Sequence, residues 1–182
     1  MIEISKTTDK HKSQAPKKLK ACVVTISDSK YDYNCNKYVS KKEKEDTSGK
    51  TIIKELKKAG HEVIFYTLIP DHEGIIIETV DHMSQRYIPD IIITTGGTGI
   101  GKKDVTVEAI SSLFNKTLEG FGELFRIESL KEIGRAALLS RAVAGIFEGI
   151  IIFVLPGSPN AVKTGMGIII EEAPHLVKHL RD

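Results

Sequence analysis

A glycine-rich segment follows one of the apolar stretches of the chain. After Ile91–Ile93 comes Thr94–Asp104, TTGGTGIGKKD, which contains four glycines, two lysines and a terminal carboxylate. Backbone amides that carry no side chains, placed ahead of a helix, form a binding site for anions such as phosphate. The alternative is a tight strand-to-helix turn that binds nothing, and the segment alone leaves both interpretations open.

The segment fits neither of the two common phosphate-binding motifs. Walker A (GxxxxGK[ST]) matches until Lys103, which occupies the position of the hydroxyl that binds Mg²⁺. The dinucleotide fingerprint GxGxxG has Lys102 where its last glycine is needed. A generic P-loop NTPase is therefore excluded, and only the simpler idea of a backbone anion site remains.

Two carboxylates near this segment are candidate metal ligands. Asp104 ends the segment, and Asp71 follows Pro70 elsewhere in the chain. Each has an ordinary structural alternative, because Asp104 could cap a helix that begins at Val105 and Asp71 could be a turn residue. A carboxylate beside a phosphate repels it unless a cation lies between them. The pair is therefore better explained as ligands of Mg²⁺.

Four short apolar segments predict strands, and helical patterns separate them. The predicted strands are Lys20–Ile26, Glu62–Leu68, Ile91–Thr95 and Ile150–Leu155. The predicted helices are Thr47–Ala59, Gly74–Arg86, Val105–Phe114 and Asn160–Leu180, the last kinked or split at Pro174. Near-continuous hydrophobicity is typical of strands covered on both faces. We therefore predict an α/β fold with three layers, αβα, and a mostly parallel central sheet.

The rest of the chain completes this prediction. Residues 118–149 should form one or two helices and a strand over Ala142–Phe147, antiparallel to the strand that follows it. The polar segment Lys30–Asp46 should be an exposed loop. We expect residues 19–182 to form a single domain behind a basic, flexible tail at residues 1–18.

The loops that follow the four strands should share one edge of the sheet. In doubly wound sheets the ligand binds beyond the carboxyl ends of the strands. The candidate contacts are Ser27, Asp28 and Ser29 after the first strand, Asp71 after the second, Gly96, Gly97, Thr98 and Gly99 after the third, and Gly157, Ser158, Pro159 and Asn160 after the fourth. Gly157 and Ser158 could bind an anion, while Asn160 could cap the last helix or contact a ligand.

Charge, cysteine content and the length of the apolar stretches indicate which partners and which cellular compartment to expect. The net charge is only +2, and the excess of lysine lies in residues 1–20 rather than on the body of the chain. A nucleic-acid-binding face is therefore not indicated. Cys22 and Cys35 form no CxxC pair, which fits a reducing compartment. No signal-peptide pattern or membrane-length apolar stretch is evident, so we expect a cytoplasmic protein.

Several segments, in this order, resemble the MoaB/Mog family of molybdenum-cofactor biosynthesis, which includes the G domains of gephyrin-like proteins. The resemblance covers about Ala21 to Val177. Its segments are TISDS, EDTSGK, IPDHE, TTGGTGIGKKDVTVEAI, GFGELFRIESLKEIGRAALLSRAVAG and LPGSPNAV. The stretch EIG…LLSRAVAG looks closest to the MoaB branch.

The resemblance implies a molybdopterin-binding α/β/α fold and transfer of AMP from Mg·ATP to the terminal phosphate of molybdopterin, releasing pyrophosphate. It implies that Asp71 and Asp104 hold Mg²⁺ and are catalytic, and that Ser27–Ser29 and Gly96–Gly99 hold phosphate and nucleotide. Gly157–Asn160 would contribute to the pterin-phosphate side. A trimer or hexamer is also implied.

Asp71 bears on whether the enzyme is active. Some members of the MoaB branch lack this acid, and its presence here favours catalysis. The alternative is a non-catalytic carrier or scaffold that binds molybdopterin. Tyr31–Lys44 is longer and richer in lysine than the usual link in the family, so it could lengthen an exposed loop or cover the site.

Overall fold

A six-stranded sheet forms the centre of the computed structural model, which describes residues 15–32, 37–38 and 45–182. The strands are β1 (Lys20–Ile26), β2 (Tyr31–Asp32), β3 (Lys37–Tyr38), β4 (Glu62–Ile69), β5 (Ile91–Thr95), β6 (Lys116–Thr117), β7 (Val143–Phe147) and β8 (Ile150–Leu155). The helices are α1 (Thr47–Lys58), α2 (Glu73–Tyr87), α3 (Thr106–Ser111), α4 (Glu119–Ile133) and α5 (Pro159–Arg181), with a 3₁₀ helix at Gly134–Leu139.

The strand order of the sheet is β4-β1-β5-β8-β7-β6. β4, β1, β5 and β8 are parallel, whereas β7 runs antiparallel to β8 and β6 antiparallel to β7. From β1 the chain moves outward to β4 and then crosses back to β5 on the other side of β1. The point where the chain reverses direction therefore lies between β1 and β5, and such a point opens a crevice at the carboxyl ends of the strands.

Both faces of the sheet are covered by helices. In β5, Ile91 and Ile93 belong to the apolar core shared with α1, α4 and α5, whereas Ile92 belongs to the core shared with α2 and α3. Successive side chains of a strand point to opposite faces, so a strand buried on both sides must be apolar throughout. The three-layer αβα fold predicted from this continuous hydrophobicity is confirmed.

Most of the predicted elements agree with the structure. The four strands, the four helices and the antiparallel β7 are present within a few residues of the predicted bounds. The sequence predicts a kink or a split at Pro174; the split is wrong, because α5 runs unbroken through the proline. Ala173 and Val177, on either side of it, are buried in the same core. That packing offsets a proline penalty of about 3 kcal/mol or more.

The segment predicted as an exposed loop, Lys30–Asp46, contains more structure than expected. Tyr31 pairs with Tyr38 in the short antiparallel ladder of β2 and β3, and Asp46 is completely buried. Residues 33–36 and 39–44 of this segment lie outside the described residues, as do residues 1–14 of the predicted tail. Within the described part of the chain, no helix is both long and apolar enough to cross a membrane.

His61 ties the start of β1 to the start of β4, at the edge of the sheet opposite the carboxyl ends. Its buried ring accepts a hydrogen bond at Nδ1 from the backbone N–H of Leu19, at 3.3 Å. Burial lowers the pKa of His61 below its ordinary value of 6.5, although the charge of Asp90 acts in the opposite direction. A protonated ring cannot accept this bond, so the contact requires neutral histidine.

Acidification is therefore expected to weaken the fold through His61. The unfolded state takes up a proton at His61 near pH 6.5, whereas the folded state takes it up only at lower pH. As the pH falls below 6.5, the unfolded state binds more protons and the free energy of unfolding decreases, until the folded pKa is passed. Urea unfolding at several pH values should show a shallower dependence for His61→Gln than for the unmodified protein. Equal slopes in the two proteins would contradict this assignment.

Candidate functional site

Two adjoining clefts, each of about 370 Å³, open at the carboxyl ends of the parallel strands. The first is lined mainly by polar groups: Thr25, Ser27, Asp28, Ser29, Lys30, Ser48, Asp71, Thr95, Gly96, Gly97, Lys103, Asp104 and Gly157, with Ile26. The second is bordered by the glycine-rich segment, α4 and the start of α5: Gly96, Gly97, Thr98, Gly99, Asp104, Ser129, Glu132, Ile133, Ala136, Leu139, Ser140, Pro156, Gly157, Ser158, Asn160, Ala161 and Thr164.

A ridge made of two glycine turns separates the clefts. Gly96, Gly97, Asp104 and Gly157 line both of them. The turns pack so closely that a Cβ on Gly157 would lie 3.2 Å from the Cα of Gly96. The hydroxyl of Ser48, in α1, donates to the carbonyl of Gly157 at 2.7 Å. The ridge is thus stabilised by contacts among the turn after β5, the turn after β8 and α1. Groups bound in the two clefts would lie on either side of it.

Asp28 and Asp71 hold each other through backbone amides. The N–H of Asp28 donates to Oδ2 of Asp71 at 2.7 Å, and the N–H of Asp71 donates to Oδ1 of Asp28 at 3.1 Å. Lys103 lies with its Nζ 3.2 Å from Oδ2 of Asp28. Two hydrogen bonds therefore join the loops after β1 and β4, and the Asp71 carboxylate lies at the wall of the first cleft.

Negative charge is concentrated around Asp71. Burial raises the pKa of Asp71 above its ordinary value, and the carboxylates of Asp28 and Asp104 raise it further. The backbone hydrogen bond from Asp28 and the charge of Lys103 act in the opposite direction and do not cancel the effect. Asp28 and Asp104 thus repel the ionised carboxylate of Asp71 at the wall of the cleft, and a cation bound beside Asp71 would relieve that repulsion.

Asp104 does not cap a helix, which corrects one of its two interpretations. α3 begins after Val105, whose side chain makes no capping bond. The Asp104 carboxylate turns back instead, and its Oδ2 accepts the N–H of Gly101 at 2.9 Å. A Cβ on Gly99 would lie 2.6 Å from that oxygen, so the glycine makes room for the carboxylate at the ridge. The structure therefore places Asp104 where it lines both clefts.

The turn after β8 departs from the prediction at two residues. Ser158 is the cap of α5, with its hydroxyl accepting the N–H of Ala161 at 3.3 Å. Asn160 therefore does not cap the helix, although it lines the second cleft. Pro159 is the first residue of α5, a position that suits its ring, and it lines neither cleft. The other predicted contacts line one cleft or both.

Sequence reasoning missed a buried carboxylate behind the first cleft. Asp46 caps α1 by accepting the N–H of Gly49 at 3.0 Å, and it also accepts the hydroxyls of Thr25 at 2.6 Å and Tyr66 at 2.5 Å. Lys30, at the mouth of the cleft, lies 3.7 Å from it. The carboxylate followed by TSGK was a capping signal. The two hydroxyl partners, 20 and 21 residues away, left no local pattern.

The wall of the second cleft that comes from α4 and the 3₁₀ helix was also missed. Ser129, Glu132 and Ser140 bring polar groups to it, and Ile133 and Leu139 bring apolar surface. They lie in residues 118–149, whose sequence predicted one or two helices without definite bounds. In residues 15–32, 37–38 and 45–182, no group of three or more His, Cys, Asp or Glu side chains is placed to hold a metal ion. A metal at Asp71 and Asp104 would need further ligands, such as water or the oxygens of a substrate.

A family model and the sequences of known proteins agree on the family to which the chain is similar. Residues 22–176 match the model of a family described as a probable molybdopterin binding domain. A probable molybdopterin adenylyltransferase of Methanocaldococcus jannaschii is 45% identical over 166 residues, covering 91% of this chain and 96% of its own length. The molybdopterin adenylyltransferase of Pyrococcus furiosus is 43% identical over 179 residues, covering 96% and 98%.

Solved structures agree with these relatives. The tungsten cofactor synthesizing protein MoaB of Pyrococcus furiosus superposes with a TM-score of 0.78 at 41% identity, covering 92% of this chain and 100% of that one. A structure of molybdenum cofactor biosynthesis protein B gives a TM-score of 0.81 at 39% identity, covering 92% and 99%. With this fold, this order of site loops and these relatives, the chain belongs to the MoaB/Mog family of molybdopterin-binding domains.

Proposed function

We propose that the protein is a molybdopterin adenylyltransferase of molybdenum-cofactor biosynthesis. The observation that carries the proposal is a pair of carboxylates at the ridge: Asp104 lines both clefts, and Asp71 lines the first, beside Gly97. Transfer of AMP between two substrates needs two sites that meet at one point, and it needs a means of balancing phosphate charge at that point. The names of the relatives, which include molybdopterin adenylyltransferase at 45% and 43% identity, support the same activity.

ATP fits the first cleft and molybdopterin the second. The first cleft offers the hydroxyls of Ser27 and Ser29 and the ammonium groups of Lys30 and Lys103, which suit phosphates. The second has apolar surface from Ile133, Ala136 and Leu139 for a flat ring system. Thr98, Gly99, Gly157, Ser158 and Asn160 would hold the terminal phosphate of the pterin close to the ridge.

Asp71 and Asp104 are the residues that would hold Mg²⁺. Two carboxylates plus substrate phosphates are a usual ligand set for this ion. Burial, with the charges of Asp28 and Asp104, raises the pKa of Asp71, so a cation beside it would stabilise its ionised form. When bound, the ion would neutralise charge on the phosphates.

The other residues of the site would position the two reacting phosphates. A terminal phosphate is largely ionised at neutral pH and needs no base to attack the α-phosphorus of ATP. A new P–O–P bond forms as the bond to pyrophosphate breaks, and the glycine amides of the ridge would hold the two phosphates in line. Lys103, which lines the first cleft, would offset charge on the leaving pyrophosphate.

The direct test is to incubate the pure protein with molybdopterin, ATP and Mg²⁺ and to look for adenylylated pterin by mass spectrometry, together with pyrophosphate release. Both products should form, and both should require the pterin. If molybdopterin binds but neither product forms, the protein is a carrier or scaffold instead. The cytoplasmic location expected from the sequence stays a prediction.

Self-association is proposed for the solvent-facing side of α4. Leu124, Ile127 and Leu130 are each about half exposed, and Leu138, in the adjoining 3₁₀ helix, is 86% exposed. Contiguous apolar surface of this kind usually marks a contact between proteins. The homo-oligomer, trimer or hexamer, implied by the family resemblance would cover it.

The double substitution Ile127→Glu, Leu130→Glu is therefore expected to break the oligomer, because charges would be buried at the interface. Light scattering after size-exclusion chromatography should give a smaller mass than that of the unmodified protein. Ile88→Glu, at an isolated exposed apolar residue at the end of α2, serves as the control and should keep the original mass. An unchanged mass in the double variant would rule out this surface.

A further inference from the structure

The hydroxyl of Thr106 is buried beside the proposed metal ligands without a hydrogen-bond partner. Thr106 is the first residue of α3, its side chain is completely buried, and its Oγ1 has no partner among the described residues. Its backbone N–H is used, donating to the carbonyl of Gly97 at 3.0 Å. Buried polar groups are nearly always paired, and an unpaired hydroxyl destabilises the folded state. This hydroxyl therefore needs an explanation outside the stability of the fold.

The usual structural roles of threonine at a helix start do not apply here. Threonine is favoured there because its hydroxyl caps the first backbone amides or bonds a carbonyl one turn away. Thr106 follows the cap position, which Val105 occupies, and its hydroxyl makes neither type of bond. A threonine that stabilises its own helix would make one of them.

The position of the hydroxyl indicates its partner. A Cβ on Gly97 would lie 2.2 Å from Oγ1 of Thr106 and 2.5 Å from Oδ1 of Asp71. The two oxygens therefore face the same small space over Gly97, which only a glycine leaves open. The other carboxylate oxygen of Asp71, Oδ2, already accepts the N–H of Asp28 at 2.7 Å. Oδ1 is thus the oxygen of Asp71 that lies towards Thr106.

We propose that Thr106 is a positioning residue for Asp71. Its hydroxyl donates to Oδ1 of Asp71 once Mg²⁺ and ATP are bound, so that Asp28 and Thr106 each hold one oxygen of the carboxylate. A small movement of the loop after β4 towards α3 makes the bond. The carboxylate is then fixed in rotation, and the remaining lone pair of Oδ1 faces the cleft. This inference rests on the proposed function, since it requires Asp71 to be a metal ligand.

The test compares Thr106→Val with Thr106→Ser. Valine has nearly the shape of threonine without the hydroxyl, so the melting temperature of the ligand-free protein should stay unchanged or rise. The kcat for AMP transfer should fall about tenfold, the effect of one hydrogen bond to a charged group. The part of the thermal shift with ATP that requires Mg²⁺, measured as the difference between Mg²⁺ and EDTA, should shrink. Serine should restore both kcat and that shift.

Thr94→Val is the matched control. Thr94, on β5, has the second buried threonine hydroxyl without a partner, and it lines neither cleft. The same chemical change there should leave kcat and the Mg²⁺-dependent shift as they are. A lower melting temperature of ligand-free Thr106→Val would show a structural role and overturn the proposal, as would an unchanged kcat and an unchanged shift.

Asp71→Asn, assayed in parallel, separates this inference from the proposed function. If the unmodified protein transfers no AMP, or if Asp71→Asn transfers it normally, the proposed function or its metal site fails. If the unmodified protein is active, Asp71→Asn is inactive and Thr106→Val behaves like the unmodified protein, only the role of Thr106 fails.

Discussion

Asp71→Asn and Asp104→Asn are each expected to reduce AMP transfer by about 10²- to 10³-fold or more, the range for loss of a preorganised electrostatic group. Asp104 lines both clefts, and Asp71 lines the first, beside Gly97 of the ridge. Phosphate charge must be balanced there as the new bond forms. Asparagine has the same shape and keeps one acceptor oxygen, so the bond from the Asp28 N–H to residue 71 can persist. The substitution therefore removes the charge and little else. Molybdopterin should still bind, because its proposed cleft is built mainly from other residues.

The stability of these variants separates catalysis from folding. Burial and two neighbouring carboxylates raise the pKa of Asp71 in the folded protein, so the ionised group is less stable there than in the unfolded chain. Above the unfolded pKa of 3.8, ionised Asp71 therefore costs stability. Asp71→Asn should melt at the same temperature or higher at neutral pH. Its loss of activity cannot then be attributed to misfolding.

Asp81→Asn provides the control for charge removal as such. Asp81 lies in α2 and is bonded to Gln85 on the protein surface, away from both clefts. Its kcat should equal that of the unmodified protein. Quantifying adenylylated pterin under saturating ATP and Mg²⁺ gives the comparison. Full turnover by the double variant Asp71→Asn, Asp104→Asn would rule out the mechanism.

The sequence predicted the layers of the fold because burial on both faces leaves a signal in every residue of a strand. The run Ile91–Ile93 is apolar at each position because alternate side chains enter different cores. Parallel strands also share one direction, so the four loops after them had to meet at one edge. That rule brought Ser27, Asp71 and Gly157 to one cleft although they are far apart in the chain.

Other parts of the site could not be predicted because they depend on contacts between distant residues. Whether Asp104 caps α3 or turns back to Gly101 depends on the shape of the loop, and both are compatible with its sequence. The burial of Asp46 depends on hydroxyls supplied by β1 and β4. The orphaned hydroxyl of Thr106 is visible only once its surroundings are known. Hydrophobic periodicity and composition predict single helices and strands. These features depend instead on contacts between two or more elements.

Gly96→Ala is expected to be the most destabilising substitution at the ridge. Gly96 has φ +102°, where a Cβ costs an L-residue about 1–2 kcal/mol. A Cβ there would also lie 2.1 Å from the carbonyl oxygen of Ile26. That atom is backbone of β1, which the ladder with β5 holds in place up to Thr25 and Thr95. Relief requires the ends of β1 and β5 to separate, so we expect a loss of about 3 kcal/mol or more.

Gly60→Ala distinguishes the clash from the backbone strain. Gly60 also has a positive φ, +85°, but a Cβ there would meet nothing within 4 Å. It lies between α1 and the amino end of β4, at the end of the sheet opposite the clefts. Its substitution should cost only the backbone strain, about 1 kcal/mol. Urea unfolding measures both changes. If both variants lose the same stability, the approach of β1 to β5 is looser than the structure shows. If Gly96→Ala loses more and also fails to bind ATP and molybdopterin, the close contact at the end of β1 holds the ridge that both clefts share.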